Sequence, residues 1–248
     1  MNASGFWRKL AKKKAVLPSP IRYAVVLAAL WSFMESVHAV SISPVLVELS
    51  PARRAASVSI MNDASSAVRF QVDTLAWTQA DGNDRYAKTD RLIVAPPIAE
   101  IEPGGIQIFR VMLRQPSEPR EQAFRLIFED ITHVEAQPGI VTLRFNHNLP
   151  VFFNGSAKPK GLARLGPCVP HAAGCVRIDN GGGRYVVIES LTVEGKGWRK
   201  NLKASMRLLG GAWRQWTFKP PAAARGPITV KASTSSGQLS MELPPLAK

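Results

Sequence analysis

Residues 140–153 read IVTLRFNHNLPVFF, and the fold turns on them. Val141, Leu143, Phe145, His147, Leu149, Val151 and Phe153 form one apolar stripe, interrupted only by His147. Period two with one apolar face is the signature of a half-buried strand. Ordinary strands run about five or six residues. A stripe of 14 residues therefore predicts a strand that needs more partners than one small sheet supplies. Pro150 has no N–H to donate, which puts the later half at an edge or a bulge. A long apolar edge is an aggregation hazard. A protein that keeps one can use it to pair with another chain.

Working outward, the same period recurs on both sides. Ala56, Val58 and Ile60 alternate with polar residues, as do Val68, Phe70 and Val72. The turn-forming cluster Asn62–Ser66 between them predicts a hairpin-like pair. Ile106–Leu113 follows a Pro103-Gly104-Gly105 turn, and Phe124, Leu126 and Phe128 alternate with Arg125, Ile127 and Glu129. NGSAKPK at 154–160 breaks the apolar pattern and reads as a linker. Beyond it come short strand candidates at Val176–Asn180, Tyr185–Val193, Leu202–Leu209, Trp216–Phe218, Ile228–Ala232 and Leu239–Leu243. Regular short strands with Gly/Pro punctuation predict an all-β protein of sandwich type. No internal repeat motif is evident.

The N-terminus reads as a secretion signal covering residues 1–39. A basic region holds Arg8, Lys9, Lys12, Lys13, Lys14 and Arg22; an apolar run Tyr23–Met34 follows, then Val37-His38-Ala39. The apolar run is about a dozen residues, where a spanning helix needs about 20, so no stable membrane insertion is expected after cleavage. Residues 40–248 number 209, enough for two domains, with the boundary placed at 155/156. The leader carries six Lys/Arg and one acid, leaving +9 of the chain's +14 on residues 40–248. Those charges are scattered, with no basic run and no aromatic-basic RNA-binding motif, which argues against nucleic acid.

Catalytic signatures are absent: no nucleophile elbow, P-loop, dinucleotide fingerprint or H-E-x-x-H. The histidines, His38, His133, His147 and His171, are isolated. No catalytic residues, cofactor or metal are expected. Cys168 and Cys175 flank a short loop and most simply form a disulfide in an oxidising compartment. The rival reading adds His171 as a metal ligand, but structural zinc takes four ligands and the segment offers no fourth.

Several stretches carry a resemblance. FQVDTLAWTQADGNDRYAKTDRLIVAPPIAEIEPGGIQIFRV at 70–111, FRLIFEDI at 124–131, LPVFF at 149–153 and IDNGGGRYVVIESLTV at 178–193 resemble the periplasmic pilus-assembly chaperones of the chaperone–usher pathway (the PapD-like family), and within it the archaic-type branch. The likeness covers nearly all of residues 40–248 and is looser in the second half. It implies two immunoglobulin-like β-sandwich domains in an L-shaped arrangement, residues 40–155 and 156–248. It implies a non-enzymatic chaperone in the periplasm that stabilises pilin subunits by donor-strand complementation and delivers them to an outer-membrane usher. The alternative is an immunoglobulin-like adhesin or a structural component of a surface pilus.

The resemblance also implies site residues. The strand 140–153 becomes the donor strand, with Val141, Leu143, Phe145 and Leu149 as its pocket-filling side chains. In the better-known branch an arginine of the first strand and a lysine of the donor strand grip the subunit's terminal carboxylate. Here VSISPVLVELS at 40–50 has no arginine, and Leu149 or Pro150 stands where the lysine is expected. Arginine's planar fork suits a buried carboxylate. Arg125, which alternates out of the Phe124/Leu126/Phe128 face and matches an arginine of the archaic-type motif, is the expected anchor, with Arg110 in reserve. Glu129 or Asp130 is the expected acid of an inter-domain ion pair. Expected partners are pilin subunits and the usher, with self-association of the free protein as a further way to cover the strand.

Overall fold

A computed structural model describes residues 40–114, 120–133, 144–155, 160–168, 174–221 and 226–243. Among them there is no helix, and so none long and apolar enough to cross a membrane. The strands of the first half are β1 (Val40–Ser43), β2 (Val47–Leu49), β3 (Ala55–Asn62), β4 (Val68–Ala80) and β5 (Asn83–Lys88). They continue with β6 (Leu92–Ala95), β7 (Ile98–Ile101), β8 (Ile106–Leu113), β9 (Gln122–Asp130) and β10 (His147–Phe153). The second half holds β11 (Ala163–Gly166), β12 (Cys175–Asn180), β13 (Val186–Gly195) and β14 (Trp198–Leu202). It ends with β15 (Met206–Leu208), β16 (Trp213–Thr217), β17 (Ile228–Thr234) and β18 (Gly237–Leu243).

These strands make two sandwiches. In the first, a sheet ordered β1-β3-β8-β6 faces one ordered β2-β10-β9-β4-β5, with β7 added to β4. Side chains alternating inward from both sheets, among them Val58, Ile60, Phe70, Phe109, Phe124, Leu126, Phe128 and Val151, fill one core. In the second, β11-β12-β16 faces β14-β13-β17-β18, with β15 on β13. Its core includes Val176, Ile178, Val186, Ile188, Leu191, Val193 and Val230. This is the immunoglobulin-like arrangement.

Two expectations need correction. The segment 140–153 is not one strand: β10 begins at His147, and 140–143 lie outside the described residues. β9, its partner, ends at Asp130, whose carboxylate turns back to accept from the Thr132 N–H at 2.9 Å. The expected hairpin between β3 and β4 does not form either. The two strands lie in opposite sheets, so the Asn62–Ser66 turn is a crossover.

That crossover shows a repeat the sequence hides. Asn62 ends β3 and is fully buried; its Nδ2 donates to the Ser66 and Ile101 carbonyls at 2.8 and 2.9 Å, and its Oδ1 accepts from Ala64 N–H at 3.0 Å. Asn180 ends β12 and does the same work. Its Nδ2 donates to the Arg184 and Leu208 carbonyls at 2.7 and 2.9 Å, and its Oδ1 accepts from the N–H of Leu162 and Gly182, both at 3.0 Å. Each asparagine's carbonyl also accepts from a turn glycine with positive φ, Gly104 (φ 71) and Gly211 (φ 78), both at 2.8 Å. A side chain would be strained at either glycine. Buried polar groups left without partners are costly. Asn180→Ala and Asn62→Ala should each lower the unfolding free energy by about 2–4 kcal/mol in urea titrations. A change near zero would mean the turns hold without them.

Candidate functional site

The outer face of the six-stranded sheet is where the sequence-predicted residues converge. On β9, Phe124, Leu126 and Phe128 point into the core, so Ala123, Arg125 and Ile127 point out. Register carries that outward set across the sheet. Arg125 lies between Leu75 on β4 and Pro150 on β10, Ala123 between Trp77 and Phe152, and Trp77 also faces Tyr86 on β5. Trp77 and Phe152 are buried, but with the core of the second sandwich. One end of this face is therefore roofed by the second domain and the rest forms a cleft wall.

The junction is specific. Phe152 stacks on Tyr185 with ring centroids 4.1 Å apart, and Trp77 lies 5.8 Å from Phe152. Gln79 at the end of β4 donates to the Arg207 carbonyl at 3.0 Å and accepts from the Leu209 N–H at 2.8 Å. Asp84 accepts from Trp77 Nε1 (2.8 Å), Gln79 Nε2 (2.7 Å) and Arg214 Nη2 (2.9 Å). Burial, the largest single influence, pushes its carboxyl up, but the hydrogen bonds from Gln79, Trp77 and Arg214 and the Arg214 charge together hold its pKa below the ordinary value. Arg184 reaches Glu48 at 2.5 Å and lies 3.6 Å from Glu121. Glu129 is exposed and Asp130 binds Thr132, so the expected inter-domain acids are not the ones used. Glu48 and Asp84 take that role, while Glu121 accepts from the Tyr185 N–H at 2.7 Å.

Arg125 is half-buried in the cleft wall. Its Cζ sits 3.8 Å from the Trp77 ring centroid, its Nη1 is 3.5 Å from Asn148 Oδ1, and its buried Nε has no acceptor. Burial lowers its pKa; Tyr86 and Asp84 oppose that, and Arg207 adds to it. Arg207, on β15, packs with Cζ 5.9 Å from the Tyr185 centroid, and its Nε too is buried without an acceptor. Arg110 is not brought here. It is exposed on β8 between Ser57 and Ala95, in the other sheet.

Of the stripe read from the sequence, Val141 and Leu143 lie outside the described residues. Phe145 is 68 % exposed. His147 is half-buried, 6.2 Å from Phe70. Leu149, expected as a pocket-filling donor residue, is a core residue of its own domain at 4 % exposure. The stripe thus leaves the core at His147. The edge of β10 away from β9 is covered by β2 only at Val151–Phe153. From His147 to Pro150 no described strand pairs with it.

Cys168 and Cys175 are bonded, with Cα atoms 5.8 Å apart, and both are buried where β12 begins. His171 lies outside the described residues. Sequence reasoning missed Arg207, Gln79, Asp84 and Tyr185. Gln79 and Arg207 are 128 positions apart, and no local pattern marks them as neighbours.

Comparison with known proteins gives the same architecture. The family described as pili and flagellar-assembly chaperone, PapD N-terminal domain, matches residues 39–162. A chain of the CsuC–CsuE chaperone–tip adhesion subunit pre-assembly complex, from archaic chaperone–usher Csu pili of Acinetobacter baumannii, superposes with a TM-score of 0.62 at 18 % identity. The match covers 82 % of this chain and 97 % of that one. The E. coli chaperone DraB gives 0.58 at 16 %, covering 83 % and 98 %. A chain of the Salmonella enterica SafA pilin–SafB chaperone complex gives 0.57 at 16 %, covering 84 % and 98 %. No curated protein sequence matches the chain. The fold and cleft define a two-sandwich, immunoglobulin-like chaperone architecture. The chain belongs to the PapD-type pilus-assembly chaperone family.

Glu121 gives the junction a pH dependence. Burial raises its carboxyl from an ordinary 4.5 to about 7; the Tyr185 N–H and Arg184 pull it down and Glu48 pushes it up. The folded value lies above the unfolded one, so the stability contributed by the neutral acid is full below pH 4.5 and is lost as pH rises through 7. Glu121→Gln, fixed neutral, should unfold at higher urea than the wild type at pH 8 and at the same urea near pH 4.5. Equal midpoints at pH 8 would show that burial does not raise the Glu121 carboxyl above its ordinary range.

Proposed function

We propose that this protein is a periplasmic chaperone that binds pilin subunits by donor-strand complementation and hands them to an outer-membrane usher. In this reading residues 1–39 are a removed signal peptide, residues 40–155 the subunit-binding domain and residues 156–248 the second domain. The observation that carries it is the bare edge of β10 leading back to exposed Phe145. Backbone N–H and C=O groups along an unpaired edge accept a partner strand, and alternate side chains fill the partner's groove. Val141, Leu143 and Phe145 are the inserting side chains, and buried Leu149 roots the strand in its own core. Arg125, in the cleft wall beside the Pro150 end of that edge, is the anchor for the subunit's terminal carboxylate. The disulfide at Cys168–Cys175 suits an oxidising compartment.

A second apolar surface supports a second partner. Met61, Ile106, Ile108 and Met112 are exposed around Arg110 on the four-stranded sheet, on the other side of the core from the cleft. In this reading the usher docks there while the β10 edge holds a subunit.

Co-expression in the periplasm with a candidate pilin tests the reading. The wild type should co-purify with it one to one. Phe145→Asp and Leu143→Asp should abolish the complex while both variants keep the wild-type melting temperature. Arg125→Ala should weaken it by roughly 10- to 100-fold, and Ile108→Asp should leave it intact. A pilin that stays soluble without this protein, or a Phe145→Asp variant that still co-purifies, overturns the proposal.

A further inference from the structure

β9 outruns its partner. Glu129 and Asp130 are still paired with Gln71 and Phe70 on β4, but on the other side β10 begins only at His147, opposite Phe128. Carried two residues further, that register would set Asn146 beside Glu129 and Phe145 beside Asp130. An open strand edge is a template for pairing. Yet residues 144–146 lie outside any strand, and Phe145 is exposed.

The end of β9 supplies the reason. The Ile131 N–H donates to the Arg69 carbonyl at 2.9 Å, as the next rung of an antiparallel ladder should. The return bond goes elsewhere. The Arg69 N–H donates to Thr132 Oγ1 at 2.9 Å, so a hydroxyl stands in for the Ile131 carbonyl and the ladder closes there. Asp130 Oδ1 accepts from both the N–H and the hydroxyl of Thr132, which holds the carboxylate at the strand's end. By alternation Asp130 shares the inward face of Phe124, Leu126 and Phe128, beside Phe70. A β10 continued to Phe145 would turn that ring to the same face and cover the carboxylate. A charged group covered by an apolar ring loses water without gaining a partner. Inward-pointing charges are one device that keeps sheet edges from pairing.

We infer that Asp130, locked by Thr132, is a positioning residue for the donor segment: it keeps residues 144–146 from closing onto β9, so that Phe145 stays outside its own sandwich. The inference rests on the donor-strand reading and adds what keeps that strand available. Without the stop, the segment would commit its backbone groups to β9. A subunit would then have to wait for it to open, and apparent affinity would fall with the fraction of molecules left open.

Amide hydrogen exchange on the free protein, resolved by residue with NMR, tests it. In Asp130→Val the Phe145 and Asn146 amides should exchange about tenfold more slowly than in the wild type, and pilin affinity should drop by about the same factor. Thr132→Val, which removes the hydroxyl, should move both readouts the same way. Asp130→Asn keeps an oxygen for the Thr132 N–H and should stay near the wild type in both. Glu129→Val, on the opposite face, should change neither. A variant that is merely less stable would exchange faster, not slower. Exchange as fast in Asp130→Val as in the wild type overturns the inference, even where Phe145→Asp has upheld the donor strand. So does slowed exchange with unchanged pilin affinity. Slowed exchange with no pilin bound by any form, wild type included, leaves the stop standing and overturns the donor-strand reading.

Discussion

The seam of Trp77, Phe152 and Tyr185 is the contact on which the rest depends. Trp77 and Phe152 belong by chain to the first sandwich and by packing to the second core. Burying two large aromatic side chains contributes on the order of several kcal/mol. That apolar contact sits inside a ring of polar ones: Gln79 on two backbone groups, Asp84 on three donors, Arg184 between two acids. The aromatic part supplies adhesion and the polar part sets which way the domains face. Remove the seam and the outer face of β9 would be an ordinary solvated sheet, with Arg125 one more surface arginine.

Polar groups do similar positional work inside each sandwich. Asn62 and Asn180 occupy equivalent places, each ending a strand and collecting carbonyls and N–H groups from neighbouring turns. The two domains share no obvious sequence repeat, but they solve the same problem in the same way. A strand that ends inside a sandwich leaves backbone groups that need partners. A buried amide, with two donors and one oxygen, can serve several of them at once.

Much of this was legible in the residues. Ile106–Leu113 is a strand with the bounds its alternation predicts, and Phe124, Leu126 and Phe128 face the core as their spacing requires. The outward turn of Arg125 followed from the same alternation, because period two fixes faces whatever the tertiary context. Three kinds of feature were not legible. β5, Asn83–Lys88, is exposed throughout and has no apolar period to read. The VSISPVLVELS segment splits at Pro44 into β1 and β2, which join opposite sheets, and alternation cannot show which sheet a strand joins. Leu149 lies on the same stripe as Phe145, and only the position of the sandwich rim separates a core residue from an exposed one. Arg207 was invisible for a different reason: its carbonyl is held by Gln79, 128 positions earlier in the chain, on the other sandwich.

The short parallel pairing of β2 with β10 has a consequence for register. β2 covers the outer edge of β10 from Val151 onward and leaves the edge before it bare. Any strand that adds to that edge runs into the end of β2 at a fixed place. Pro150, the last open position, has no N–H to give. The protein therefore carries a physical stop against which an incoming strand is measured, and a one-residue slip past it, which would turn every side chain to the wrong face, has nowhere to go.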